Sequence, residues 1–311
     1  MRGRFGRPQY PRLGFGFHIL TFTGLCAIWL GAAHLIEGGQ RDELSEAPDR
    51  ISTDLVRRSH PGDAGAAFVK WFSDGHDESR WYRSDFDLVE NIAQVGWSAE
   101  HISFDKDSAH LWITDKPSPT NPYTSGEYQK RGWYSFGRFE VVMKAAKGSG
   151  LVSSFFTHTG PYFDDPHDEI DFEFLGKDTN RVWLNWFSNG QAGEAKWHEL
   201  GFDAAEAFHH YAFEWTPDTI RWFVDGVLVY ERPEGSRPVP VTPGRIIVNL
   251  WTGREAQFDW HGEPNFDVAS HASYQCISFR ALDDLTSPQC SDGWPLPTTT
   301  DPAEALQVAT R

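Results

Sequence analysis

The sequence predicts an all-β protein built as a two-sheet sandwich. Three observations carry this. "GRFEVVMKA", "VSSFFTHT", "EIDFEFLG", "RVWLNWFS", "HHYAFEWT", "TIRWFVDGVLVYE" and "GRIIVNLWT" are short runs rich in β-branched and aromatic residues. Turn residues punctuate them, as in "KGSG", "GKDTN", "SNGQ", "TPDT" and "TPGR". Many short strands at such close spacing favour two stacked sheets.

Taken in order, the chain opens with Arg2, Arg4, Arg7 and Arg12, followed by an uncharged run from Leu13 to Ile36. A basic region before an apolar one is the pattern of an export signal, and the run is long enough to span a bilayer. Residues 1–37 are therefore expected to be an export signal or membrane anchor, with Gly31 and Ala33 at plausible cleavage positions. The basic flank predicts that the amino end stays in the cytoplasm while the body crosses, becoming secreted, periplasmic or anchored outside. Residues 38–65 mix both charge signs with Gly and Pro and read as a linker. The folded body is expected over 66–285. Residues 286–311, rich in Thr, Pro and Ala, are expected to be a disordered tail.

Inside the body, "FVDGVLVYE" signals a hairpin, with Asp225-Gly226 supplying the positive-φ turn. "FDAAEAF" is the one fragment expected to be helical. Cys26 lies in the leader; Cys276 and Cys290 would pair in an oxidising compartment or remain thiols. A formal charge of -16 argues against nucleic acid and against an anionic membrane surface, so the membrane enters only through the amino-terminal segment. A monomer acting on a neutral ligand is expected.

The stretch "HDEIDFEFLG" carries the chemistry. Glu169, Asp171 and Glu173 alternate with Ile170, Phe172 and Phe174. That period is a β-strand's, so the three carboxyls share one face and the hydrophobes the other. Packing gives no reason to stack like charges. Glycoside cleavage with retention does, because it needs one carboxyl as nucleophile and a second as acid/base. Glu169 and Glu173 stand two strand steps apart, with Cα atoms roughly 13 Å from each other. Asp171 between them is short enough to hold the nucleophile. Two further patterns place polar groups beside aromatics on one face: Asn185 with Phe187, and Asn249 with Trp251. Phe156 and His158 share a face in the same way. His158 and His167 read as polar cleft residues. No metal site is expected, since no third nitrogen or sulfur ligand lies at useful spacing.

The motif "EIDFEFLG" resembles the signature of glycoside hydrolase family 16, in its regular-strand form. The resemblance is close to the bacterial licheninases, the endo-β-1,3-1,4-glucanases, and also to rhizobial enzymes that trim succinoglycan. It extends over "YTSGEYQKRGWYSFGRFEVVMKAAKGSGLVSSFFTHTGP", "EFLGKDTNRVWLNWFSNG", "ELGFDAAEAFHHYAFEWTPDTIRWFVDG" and "PGRIIVNLWTG", roughly Gly126 to Trp260. It implies a concanavalin A-like jelly roll with a concave substrate cleft. It also implies Glu169 as nucleophile, Asp171 as assisting carboxylate and Glu173 as acid/base. Glu127 would bind sugar hydroxyls, Asn185 would be a polar cleft residue, Asn249 a hydrogen-bonding residue, Trp251 a stacking platform and Phe156 a cleft-wall aromatic. The polysaccharide would be a β-glucan or a bacterial exopolysaccharide. Hydrolysis is the expected outcome, with transglycosylation or a non-catalytic carbohydrate-binding sandwich as the alternatives.

Several positions depart from the licheninase pattern. His167 stands where licheninases usually have Trp, and plant xyloglucan-modifying members carry this His. His158 and Phe187 stand where Tyr is typical, and Gln129 replaces an Arg. These changes surround the substrate, so a decorated or acidic bacterial β-glycan containing glucose or galactose is expected to be cut better than mixed-linkage glucan. Ser125 and Val95 occupy the positions of a disulfide found in Bacillus-type licheninases. Gln275 replaces an Asp that often helps hold a structural calcium, so that ion is doubtful here. No other cofactor is expected.

Overall fold

The computed structural model describes residues 65–89, 92–266 and 270–295. The leader 1–37, nearly all of the linker 38–65 and the tail beyond 295 lie outside the described residues. No helix among the described residues is long and apolar enough to cross a membrane. In chain order the strands are β1 (Phe68–Trp71), β2 (Trp81–Arg83), β3 (Val95–Trp97), β4 (Ile102–Phe104), β5 (Ala109–Thr114), β6 (Tyr123–Ser125), β7 (Glu127–Lys130), β8 (Gly137–Lys144) and β9 (Val152–Thr159). They continue as β10 (Asp168–Leu175), β11 (Arg181–Ser188), β12 (Gln191–Ala192), β13 (Lys196–Glu199), β14 (His209–Trp215), β15 (Ile220–Val224), β16 (Val227–Glu231), β17 (Arg245–Trp251) and β18 (His271–Ala281). Among the described residues they are joined by two one-turn α-helices, α1 (Phe258–His261) and α2 (Cys290–Gly293), and by four short 3-10 turns.

The strands form two sheets, the jelly-roll sandwich that the sequence predicts. The site sheet runs β12-β11-β10-β9-β17-β7-β2, with β13 also on β11. The supporting sheet runs β16-β15-β14-β8-β18-β5-β6-β3, with β1 on β18 and β4 on β5. β10 is therefore central, bonded on both sides. Ile170, Phe172 and Phe174 point inward, and Phe174 meets Tyr211 of the supporting sheet with ring centres 4.7 Å apart. Phe155 meets Phe213 at 5.5 Å. Trp222 reaches across the core and donates its indole N–H to the Asp171 carbonyl at 3.1 Å. Burying this apolar face fixes the register, because a slip of one residue would turn the carboxyls into the core.

The Asp225-Gly226 hairpin forms as predicted, with φ of 47° and 81°. Two expectations change. "FDAAEAF" makes turns rather than a helix. Its polar groups are engaged elsewhere: the Ala204 N–H goes to the Thr179 carbonyl (2.8 Å), and Asp203 accepts from Ala205 N–H (2.9 Å) and Lys147 (2.8 Å). One turn with such partners has no propagation to gain from. The folded body also continues past 285. Cys276 and Cys290 form a disulfide that ties α2 to β18, and the Ser291 N–H donates to Glu140 at 2.9 Å. Ser125 pairs with Trp97 rather than Val95, and its hydroxyl donates to the Trp112 carbonyl at 3.0 Å.

Candidate active site

Strand pairing brings the predicted residues onto one face. Across β10 and β11, Glu169 stands opposite Phe187, Asp171 opposite Asn185, and Glu173 opposite Trp183. Across β10 and β9, the same three stand opposite His158, Phe156 and Ser154. β17 then sets Asn249 opposite Ser154 on one side and Glu127 on the other. Antiparallel partners share a face, so period-2 reading and pairing converge on one surface. His167 joins from the turn just before β10. Trp251 lies on the same face, at the end of β17.

The nucleophile candidate is enclosed. Glu169 is 1% exposed, and its Oε2 lies 2.9 Å from His167 Nε2. When Glu169 is ionised it only accepts, and the bond then runs from the imidazole Nε2–H. The His167 ring stacks on Phe187, with centres 4.5 Å apart. His158 Nε2 lies 3.8 Å from the same Glu169 oxygen. Burial pushes His167 down to about 4 and His158 well below the usual histidine range, so both rings are neutral at pH 7.

Burial likewise raises Glu169, to about 8, with Glu173 adding like charge; the hydrogen bond to Asp171 opposes both. Asp171 is raised well above the usual carboxylate range, first by burial and then by the Glu169 charge. The interaction between the two lowers Glu169 and raises Asp171, so of this pair Glu169 is the member that ionises first. Glu127 is held by Ser84 Oγ (2.8 Å), Gln129 Nε2 (2.7 Å) and Asn249 Nδ2 (3.2 Å), while burial raises it. Gln129 fills the place expected of an arginine, and Arg245 contacts its Oε1 at 3.4 Å. Asn185 is fully buried beside Asp171.

Two residues sit deeper than expected. Phe156 stands beside Asp171 on β9 and is 1% exposed. Trp251 is 1% exposed, with its indole N–H donating to Ser154 Oγ at 3.1 Å and Trp260 6.0 Å away. Four participants were missed. Ser154 lies two residues before Phe156 and Arg245 four before Asn249, on the same alternating faces, so the signal was present. Trp133, over which the Arg245 guanidinium lies at 5.3 Å, and Ser84 come from distant loops and carry no periodic signal.

Asp168 clamps the head of β10, the strand that carries the acid row. One oxygen accepts the Asn189 N–H (2.7 Å); the other accepts those of Val241 (3.0 Å) and Thr242 (2.9 Å). The expectation of no metal-ligand cluster also changes. Pairing of β9 with β10 makes His158 a neighbour of His167 and Glu169, and one ligand atom from each lies within 4.8 Å of the others.

Comparison with known proteins agrees with this geometry. Residues 89–269 match the family model described as glycosyl hydrolases family 16. The chain belongs to that family. A β-glucanase of Acetivibrio thermocellus is 42% identical over 212 residues, 68% of this chain and 62% of that protein. The chain thus spans about three-fifths of that relative's length. A β-glucanase of Paenibacillus macerans is 40% identical over 204 residues, 65% of this chain and 84% of that protein. Among solved structures, a β-1,3-1,4-glucanase (lichenase) derived from a mouse hindgut metagenome superposes with a TM-score of 0.66 at 38% identity. It covers 70% of this chain and 100% of that one. Within this family 16 chain, the departures at His158, His167 and Phe187 gather at one end of the acidic row, around Glu169.

Proposed function

We propose that the chain is an endo-β-glycanase hydrolysing a β-glucan by retaining double displacement. The observation that carries this is the row Glu169–Asp171–Glu173 on one buried face of a central strand, with Asp171 beside Glu169. Glu173 protonates the glycosidic oxygen while Glu169 attacks the anomeric carbon. Asp171 and His167 hold the attacking oxygen by donating to its carboxylate, which favours the ionised form against burial. Water, deprotonated by Glu173, then releases the glycosyl group. Asn185, Asn249 and Glu127 are the groups for sugar hydroxyls. Binding alone has no use for a spaced acid row, which weighs against a carbohydrate-binding module.

The relatives' names support mixed-linkage β-glucan as the substrate class. The cluster of His158, His167 and Phe187 around Glu169 favours a second reading within the same chemistry, a decorated bacterial β-glycan. A lost or gained hydrogen bond to a hydroxyl shifts discrimination by about tenfold per ~1.4 kcal/mol. Sizing the products from lichenan, laminarin and bacterial exopolysaccharides decides between them. The double change His167→Trp with Phe187→Tyr is expected to move preference toward lichenan; a wild type that already prefers lichenan by far in kcat/KM removes the second reading.

The proposal includes export, with residues 1–37 as signal or anchor, and a monomer as the working unit. The disulfide supports an oxidising compartment. No organic cofactor is required. At the expected calcium position, Gln275 offers a neutral amide at a bulge of β18, and no cluster of carboxylates surrounds it among the described residues. That donor set is poor for calcium.

A further inference from the structure

We propose that His158, His167 and Glu169 form a zinc-binding site, and that zinc there shuts the enzyme off by ligating its nucleophile.

Two imidazoles and one carboxylate are a donor set that zinc takes with a fourth position left to water. The three residues come from two paired strands and the turn between them, so the fold fixes their backbones. Zinc–ligand bonds of about 2.0–2.2 Å in a tetrahedron put neighbouring ligand atoms about 3.4 Å apart. The two edges to Glu169 Oε2 are 2.9 Å from His167 Nε2 and 3.8 Å from His158 Nε2. They bracket that value. No ligand atom lies more than 4.8 Å from another, so one imidazole rotating by roughly an ångström closes the set.

The surroundings suit the ion. Phe187 stacks on His167 and sets its ring plane. Beside His158 stands Gly160, where even a Cβ would sit 3.4 Å from Cε1 and Nε2, so glycine leaves that edge of the ring uncrowded. Asp171 and Glu173 share the face with Glu169, and a divalent cation offsets their mutual repulsion. Binding moves the His167 proton from Nε2 to Nδ1, so that the neutral imidazole ligates through Nε2, and replaces the bond to Glu169 by a metal bridge. The oxygen that would attack the sugar is then committed to zinc.

Only the shut-off consequence rests on the hydrolase reading; the binding does not. The test titrates the purified full-length chain with zinc chloride by calorimetry, in a buffer free of chelators. One equivalent is expected to bind. His158→Gln and His167→Gln should each weaken binding at least tenfold, and the double variant should abolish it. His110→Gln, at the separate histidine pair His110–His271 on the supporting sheet, should leave it unchanged. Cobalt(II) titrated into the wild type should give the intense visible bands of a tetrahedral site, which reads ligation even where a histidine variant fails to fold. Lichenan hydrolysis should fall as zinc fills the site and return on adding EDTA. Absence of binding, binding that survives the double variant, or weak octahedral cobalt bands overturn the site. A chain that binds zinc but cleaves none of the glycans overturns the hydrolase reading and leaves the site standing.

Discussion

In the proposed reaction Glu169 is the residue on which the chemistry turns. Glu169→Ala is expected to lower turnover by several orders of magnitude. Added azide should restore part of it on an activated glycoside, giving a product of inverted configuration. Glu173→Ala should instead spare substrates whose leaving group needs no proton. A wild-type product of inverted configuration, read by NMR, contradicts the assignment. The same residue makes stability depend on pH. Its folded pKa is raised to about 8 from an ordinary value near 4.5. The unfolded chain therefore loses this proton first as pH rises, and stability falls between about pH 4.5 and 8. Glu169→Gln removes that loss. At pH 8 it should be more stable than the wild type by a few kcal/mol, and the gap should close toward pH 4. Equal denaturant midpoints at pH 8 would show that the site carries no such burden.

At the scale of the element, β10 owes its position to a pattern that the sequence displays openly. Alternation placed the carboxyls, and pairing carried the same period to Asn185, Phe187, Asn249 and Trp251. What alternation does not encode is which strands lie side by side. His158 and His167 read separately as polar cleft residues, and only the β9–β10 register makes them one cluster with Glu169. "FDAAEAF" failed for the opposite reason: local propensity was outweighed by Asp203 and Ala204 bonding to Lys147 and Thr179. The clamp at the head of β10 is equally tertiary. Asp168→Asn turns an amide toward N–H donors that need an acceptor. We expect a loss of about 2–3 kcal/mol, roughly 5–10 °C in Tm, by thermal unfolding. An unchanged Tm would mean that the loops at Asn189 and Val241 are held without it.

At the scale of the whole molecule, the body is an acidic sandwich closed at its carboxyl end by the Cys276–Cys290 bridge. Neither cysteine announced its partner, because fourteen residues of separation fit a bond and two thiols alike. The leader is read from charge and length alone. An alkaline phosphatase fused after Gly62 should be active in bacteria, since that enzyme matures only outside the cytoplasm. A stable but inactive fusion counts against export, and amino-terminal sequencing of the mature chain separates a cleaved signal from a retained anchor.

The central place of β10 has a kinetic consequence. Every residue from Asp168 to Leu175 is buried, and both edges of the strand are taken by β9 and β11. Its amides can meet deuterium only when neighbours on both sides let go together, so their exchange should track opening of the whole sandwich rather than local fraying. The acid row thus rides on the last segment to come apart. Heated slowly, the protein should keep the carboxyls of β10 aligned until the body itself opens, so that the proposed activity and the fold disappear in a single step.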